Sequence, residues 1–233
     1  MEIRSRVTAT WLSRRARKGA ADLTCGLVAV LVLASFAYLN GVAGADRLLG
    51  ASGAAVFARH EYWRAWTTLF AHADLGHLLA NLFLFAPFSY FLLGYYPRWF
   101  FPALAFLEGG LLNFAVLATM PPESVLVGVS GVVYWMGAAW LTLYLLIEKR
   151  DPWRRRFGKV VIVTAALFLP ETVRSEVSYL SHYLGFGLGI VSAVLLFWAR
   201  RTQFRAAERR ELQFLPDLIP EEEWNPSAGQ ESP

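Results

Sequence analysis

The chain has 233 residues, of which 56% are hydrophobic and 17% are charged, and its mean hydropathy is +0.39. A soluble domain carries about 25% charged residues and cannot bury this much apolar surface, so disordered, fibrous and ordinary soluble proteins are excluded. A formal charge of +4 would favour nucleic acid in a soluble chain, but in a membrane protein the positions of the 22 basic residues matter more than their sum. The single cysteine, Cys25, excludes an intrachain disulfide framework.

Six runs of the sequence are long and apolar enough to cross a bilayer, which takes about 20 mostly apolar residues in a helix. The fifth run is the shortest, because Pro170 and Glu171 fall near its end. The sequence therefore predicts an all-α polytopic membrane protein with six transmembrane helices. In chain order the predicted spans are residues 23–40, 76–95, 99–120, 126–147, 160–173 and 179–199.

The basic residues set the orientation, because loops rich in Lys and Arg stay on the cytoplasmic side. A cytoplasmic N-terminus places 18 of the 22 basic residues inside. We therefore expect a bacterial inner membrane protein with both termini cytoplasmic. Its parts would be a basic N-terminus over residues 1–22, a membrane domain over 23–200 with a first loop at about 41–75, and a polar tail over 201–233 that is mostly disordered. An organelle transit peptide is the weaker interpretation of the N-terminus, because the topology already explains its charges.

Polar residues inside spans are costly and are functional candidates by default. Spans two, four and six run from outside to inside, and each carries unusual polar residues in its first turns: His77 and Asn81, then Ser130, then His182. His77 and Asn81 are four residues apart and share one helical face. This common depth predicts one site just below the outer membrane surface.

Glycines surround the candidate serine and follow the candidate histidine. Ser130 lies in Gly128-Val129-Ser130-Gly131, near a helix start whose free backbone N–H groups can stabilise an oxyanion. Gly185 and Gly189 follow His182 at four-residue steps, which predicts close packing of the sixth helix against the fourth and an approach of the His182 ring to Ser130 Oγ. Taken singly, each feature is more often structural, because membrane serines bond to their own backbone and glycines form packing faces.

In this combination and order the motifs resemble the rhomboid family of intramembrane serine proteases. The resemblance covers about residues 62–198 and implies a six-helix rhomboid-like bundle. It rests on five stretches of sequence: Trp63-Arg64, His72 to Asn81, Gly128 to Tyr134, Arg150-Asp151-Pro152, and His182-x-x-Gly185-x-x-x-Gly189.

The resemblance implies that Ser130 is the nucleophile and His182 its general base and acid, a dyad without an orienting carboxylate. It implies an oxyanion hole formed by the Ser130 backbone N–H with the side chains of His77 and Asn81. The implied activity is hydrolysis of a peptide bond in or near the outer end of transmembrane segments of single-span proteins. No metal, cofactor or nucleic acid is expected. The implied supporting residues are Gly128, Gly131, Tyr134, Gly185 and Gly189, with Trp63 and Arg64 structural in the first loop. Among them, the resemblance implies that the Tyr134 ring packs against His182 and that Gly128 leaves room at the loop.

The chain departs from the family pattern after the second span, where many members pair an acidic with a basic residue and this sequence offers Arg98 alone. We expect weaker anchoring of that loop. Three alternatives stay open: a catalytically inert rhomboid-like binding or quality-control factor, a proton-coupled transporter using Glu108 and Glu171, and a metalloprotein or metal transporter. The residues of the metal hypothesis are His60, His72, Asp74, His77 and His182.

Overall fold

The computed structural model describes residues 2–168 and 179–215 and is mostly helical. Two antiparallel strand pairs join β1 (Glu2–Ala9) to β4 (Arg209–Leu215), and β2 (Ala51–Ser52) to β3 (Val125–Leu126). Short 3-10 or π-type turns occur at Trp11–Ser13, Val42–Gly44, Ala54–Ala58, Thr68–Phe70 and Trp99–Leu104. The α-helices are α1 (Ala20–Leu39), α2 (Ala45–Leu48), α3 (Arg64–Thr67), α4 (Leu75–Tyr95), α5 (Ala105–Thr119), α6 (Ser130–Ile147), α7 (Trp153–Phe168) and α8 (Tyr179–Ala206).

The described residues include five helical segments long and apolar enough to cross a membrane: Ala20–Leu39, Leu75–Tyr95, Trp99–Thr119, Ser130–Ile147 and Tyr179–Ala206. They make the chain a polytopic, all-α integral membrane protein, as the sequence predicts. Helix α7 covers the start of the predicted fifth span but begins at Trp153, so the basic connection enters its first two turns. Residues 169–173 of that span, with Pro170 and Glu171, lie outside the described residues.

Two predicted spans start later as regular helix than hydropathy indicates. The third was expected from residue 99, but Phe101 has extended dihedral angles (φ −139°, ψ 130°) and α5 begins at Ala105. The fourth was expected from residue 126, but Leu126 pairs with Ala51 in a strand and α6 begins at Ser130. Apolar residues continue through both non-helical segments, and a short apolar run does not distinguish helix from extended chain.

Helix α6 forms the centre of the bundle and is the most buried of the five spanning segments, whereas α1 is the least buried. Trp135 and Met136 of α6 are fully buried, and the Trp135 ring lies 5.0 Å from the Phe100 ring, centroid to centroid. Because α6 contacts α4, α5, α7 and α8, a residue at its first turn has neighbours from several helices.

The two ends of the described chain pair with each other. Glu2 lies opposite Leu215 and Val7 opposite Arg210 in the β1–β4 ladder. The tail continues α8 to Ala206, and the expectation that it is mostly disordered is wrong for Arg209–Leu215, which form β4. The two strands satisfy each other's backbone hydrogen bonds, which neither segment could do alone. Their pairing requires both segments to lie on one side of the membrane, while residues 216–233 lie outside the described part.

The loop after α4 is anchored by the N-terminal segment. The backbone N–H of Arg17 donates to the Gly94 carbonyl, and its Nη1 donates to the Tyr96 carbonyl, both at 3.0 Å. The indole Nε1 of Trp11 donates to the Tyr95 carbonyl, also at 3.0 Å. Residues distant in sequence thus hold the chain before Arg98, and the weaker anchoring of this loop stays a prediction.

The first loop folds around Arg64, which is buried. Its Nη1 donates to the carbonyls of Arg47 at 2.6 Å, Leu48 at 2.9 Å and Gly50 at 3.0 Å, and its Nε pairs with Glu61. Arg64 thus has the structural role that the resemblance implies. Trp63 does not pack inside the loop, since 54% of it is exposed.

Candidate active site

Ser130 is the first residue of α6, and the chain before it is held against the first loop. The backbone N–H of Gly128 donates to the Thr68 carbonyl at 3.0 Å, and the Thr68 hydroxyl donates to the Leu126 carbonyl. Gly128 has φ +124°, a conformation that L side chains rarely adopt. The first N–H groups of a helix have no intrahelical acceptor, so α6 presents backbone donors beside the Ser130 hydroxyl.

The glycines bring α8 against the first turns of α6. A Cβ atom added to Gly185 would lie 2.1 Å from the Gly131 carbonyl oxygen, and one added to Gly189 would lie 2.3 Å from the Trp135 carbonyl oxygen. A Cβ on Gly131 would lie 2.5 Å from Ser181 Oγ, the neighbour of His182. The two backbones therefore touch at these positions, which is the packing that the glycine spacing predicts.

His182 is held by an aromatic neighbour. Its ring stacks on Tyr134 with centroids 4.0 Å apart and an interplanar angle of 13°, and the residue is 2% exposed. Among the residues that the structure describes, neither Nδ1 nor Nε2 of His182 has a hydrogen-bond partner. The predicted contact with Ser130 Oγ is therefore not formed as a hydrogen bond in this structure.

His77 and Asn81 lie on the first turns of α4. Asp74 caps this helix by accepting the backbone N–H of His77 at 2.7 Å. The His77 ring lies against the chain before the serine, because a Cβ on Gly128 would be 2.8 Å from His77 Cε1. Asn81 is 4% exposed, and its Nδ2 donates to the His77 carbonyl at 3.0 Å, so one of its two amide hydrogens is used within the helix.

The structure thus brings the predicted residues of α4, α6 and α8 to one end of the bundle. Residues 59–199, more than half of the chain, match the family model described as the Rhomboid domain. The chain belongs to the rhomboid family. It is also 28% identical over 143 residues to a Bacillus subtilis (strain 168) protein named "Putative rhomboid protease YdcA", an alignment that covers 59% of this chain and 69% of that protein.

His72 is a buried residue of the rhomboid domain whose one role suggested by the sequence is that of a metal ligand. Its Nδ1 lies 2.8 Å from Ser35 Oγ, and its ring meets the His77 ring edge to face at 5.1 Å. Ser35 Oγ also donates to the Phe70 carbonyl at 3.1 Å, so both contacts are satisfied when His72 Nδ1 carries the proton. Burial, and then the charge of His77, lower the pKa of His72 to about 3. A neutral His72 therefore packs against the His77 ring.

Glu108 of α5 joins the two helices that carry Ser130 and His182. Its Oε2 accepts the indole N–H of Trp135 at 2.7 Å, and both oxygens lie within 3.0 Å of Ser192 Oγ. The sequence makes this carboxylate a candidate for proton transport, because its partners lie 27 and 84 residues away and the pattern of one helix does not reveal them. In the rhomboid domain it is a three-helix contact.

The candidate metal ligands are not clustered as a metal site. Within residues 2–168 and 179–215, no three His, Cys, Asp or Glu side chains are grouped so that they could hold an ion. His60 lies in the first loop, where its Nδ1 is 2.8 Å from the Tyr62 hydroxyl. The described part of the chain therefore offers no set of ligands for the metal hypothesis.

Proposed function

We propose that this rhomboid protein is an intramembrane serine endopeptidase that cleaves single-span membrane proteins. Ser130 would attack the scissile carbonyl while His182 takes its proton, and His182 would then return that proton to the leaving amine. A serine hydroxyl is a weak nucleophile at its own pKa, so the reaction needs this base within hydrogen-bond reach.

The backbone contact between Gly131 and Gly185 carries the proposal. It sets the His182 turn of α8 beside the Ser130 turn of α6, as closely as two helices can approach. A buried imidazole with both nitrogens unpartnered among the described residues is uncommon, and the serine hydroxyl on the adjoining turn of α6 would be its partner in the reaction. Catalytic hydrogen bonds are often long without substrate and tighten in the complex.

The donors around Ser130 suit the charge that develops during attack. The N–H groups of the first turn of α6 would bind the oxyanion together with His77 and the second amide hydrogen of Asn81. Removal of one such donor typically costs about 10²- to 10³-fold in rate. His72 would keep His77 oriented toward this position through their ring contact.

The location of the site indicates the kind of substrate. Ser130 begins its helix, so it lies near one membrane surface, where water can reach the acyl-enzyme. A helical substrate hides its carbonyls in backbone hydrogen bonds, and the scissile segment must unwind before Ser130 can attack. Substrates with helix-breaking or small residues near that surface would be cleaved best.

Charge and strand pairing support the orientation that we propose, with the site facing outward in a bacterial inner membrane. The paired strands β1 and β4 place both terminal segments on one side. That side also carries the basic connection before α7, which loops to the cytoplasm by the positive-inside rule.

Cleavage of model single-span substrates in liposomes tests the activity. We expect Ser130→Ala and His182→Ala each to abolish cleavage while the protein stays folded. Ser89→Ala is the matched control, because Ser89 is a fully buried serine of α4 whose hydroxyl has no partner in the described residues. Cleavage by the Ser130→Ala protein at the wild-type rate would overturn the proposal.

One observation favours a second candidate, an inert rhomboid-like factor that binds membrane proteins. His182 makes no hydrogen bond to Ser130, as would be expected if the two residues did not act as a catalytic pair. A serine that is not activated would not react with a fluorophosphonate, and this reaction separates the two candidates.

A further inference from the structure

A cavity of about 470 Å³ lies between α4, α6 and α7 and has no part in the proposed reaction. Its volume is within the range of small-molecule sites, about 300–1,000 Å³. Aromatic and aliphatic side chains form nearly all of its wall, and Lys159 of α7 contributes a charged side chain. The apolar wall includes Phe83, Pro87, Phe88, Phe91, Trp140 and Val163.

The cavity lies away from Ser130 along the bundle. Trp140 and Tyr144 follow Ser130 by 10 and 14 residues on α6, which corresponds to about 15–21 Å along a helix that rises 1.5 Å per residue. Phe91 of α4 stacks on Trp140 at 4.8 Å and fixes the wall at this depth. A ligand here would not touch the serine or the histidine.

Positive charge is concentrated at the α7 side of the cavity. Lys159 Nζ lies 2.6 Å from Asp151 Oδ2, and Arg155 Nη1 lies 3.5 Å from Asp151 Oδ1. One carboxylate thus faces two cations, and one positive charge is left over. Residues 148–159 contain six basic and two acidic side chains in total, and the second acid, Glu148, is paired with Arg150 at 2.8 Å.

The residues next to the cavity are suited to a membrane interface. Trp153 and Phe157 are both about half exposed and their rings stack at 5.9 Å, while the Arg156 guanidinium lies 5.5 Å from the Trp153 ring. Tryptophan beside arginine is typical of the level of lipid headgroups. An apolar cavity with Lys159 in its wall and an excess of positive charge beside it matches a molecule that has an acyl chain and an anionic head.

We propose that this cavity binds an anionic phospholipid, with an acyl chain between α4, α6 and α7 and the phosphate at Lys159 and Arg155. The phosphate would compete with Asp151 for the two cations. A zwitterionic lipid would fill the cavity equally well but would gain less from the excess positive charge. The inference does not depend on proteolysis, since no residue of the Ser130 site takes part.

Native mass spectrometry of the full chain tests the proposal by counting retained phosphatidylglycerol and phosphatidylcholine after exchange from mixed micelles. We expect the wild-type protein to prefer phosphatidylglycerol several-fold. Lys159→Gln should remove most of this preference, and Asp151→Asn should increase it, because it frees both cations. Arg154→Gln is the matched control, a basic residue of α7 that neither pairs with Asp151 nor lines the cavity, and it should keep the wild-type preference.

A second pair of variants tests where the acyl chain lies. Val163→Trp fills the cavity and should lower retention of both lipids, whereas Ile162→Trp, on the exposed face of α7, should not. Equal retention of the two lipids by the wild-type protein would overturn the proposal. An unchanged preference for phosphatidylglycerol in Lys159→Gln would also overturn it. So would a Val163→Trp protein that elutes as a folded species and retains as much lipid as the wild type.

Discussion

At the scale of single residues, the approach of α8 to α6 depends on Gly185 having no side chain. Only a residue without Cβ lets the Gly131 carbonyl come so close, and the same contact sets His182 beside Ser130. A misplacement of about 1 Å is enough to cost about 10²-fold in rate. A methyl group added at Gly185 should therefore reduce stability and cleavage strongly, whereas one added at the neighbouring Gly187 should not.

We predict that Gly185→Ala destabilises the protein by about 1–3 kcal/mol, the usual cost of overpacking, and lowers cleavage at least about 100-fold. Gly187→Ala is the control, because a Cβ there has no neighbour within 4 Å and alanine favours the helix. Thermal unfolding in detergent and cleavage in liposomes measure the two effects. Equal behaviour of the two variants would contradict this account of the contact.

The motifs place Ser130, His77 and His182 correctly at one end of the bundle, because spacing along a helix determines which residues share a turn and a face. They do not determine rotamers: the resemblance implies the packing of Tyr134 against His182, but not that both ring nitrogens of His182 lack a hydrogen-bond partner within the described residues. His72 was undervalued for a similar reason. Its partner Ser35 lies on α1, 37 residues away, in a span that looks merely apolar.

At the scale of elements, Glu108 connects three helices of the bundle. Its carboxylate accepts hydrogen bonds from Trp135 of α6 and Ser192 of α8, and it is carried by α5. In a membrane interior the helices gain little from apolar contact alone, and polar contacts between them contribute to packing.

We predict that Glu108→Leu leaves the Trp135 and Ser192 donors unpaired and lowers the free energy of unfolding by about 1–3 kcal/mol. Glu108→Gln keeps one acceptor oxygen and should cost less. The exposed Glu123→Leu serves as a control for loss of a carboxylate. Unfolding in mixed micelles gives the ranking, and a Glu108→Leu protein as stable as the wild type would show that this contact is dispensable.

Hydropathy located every spanning helix that the structure describes, because the bilayer sets the length of an apolar run. It failed at helix starts. Leu126 is apolar, yet it pairs in a strand because Gly128 turns the chain and the Thr68 side chain holds it. Such starts depend on contacts between loops, and those contacts decide where Ser130 lies.

At the scale of the whole molecule, strands β1 and β4 pair the two ends of the described chain, and both lie outside residues 59–199, which match the family model. With the contacts of Trp11 and Arg17 to residues 94–96, this strand pair forms a cap over one end of the helices. The sequence shows charges in these segments but not their pairing, since strands 200 residues apart in the chain leave no local signal.

We predict that both strands face the cytoplasm and that the first loop faces outward. In a Cys25→Ser background, a membrane-impermeant maleimide should label Arg47→Cys in right-side-out spheroplasts. It should label Ser5→Cys and Leu212→Cys in inverted vesicles alone. These three positions are exposed. The reverse pattern would invert the topology, and opposite sides for the two strand positions would contradict their pairing.

The central claim is that Ser130 is a nucleophile activated by His182. Its most direct test is the reaction of the full chain in liposomes with a fluorophosphonate probe, followed by mapping of the labelled peptide. The account predicts labelling at Ser130 in the wild-type protein and none in Ser130→Ala or His182→Ala. Absence of labelling in the wild-type protein, or labelling of Ser130 at the same rate without His182, would contradict it.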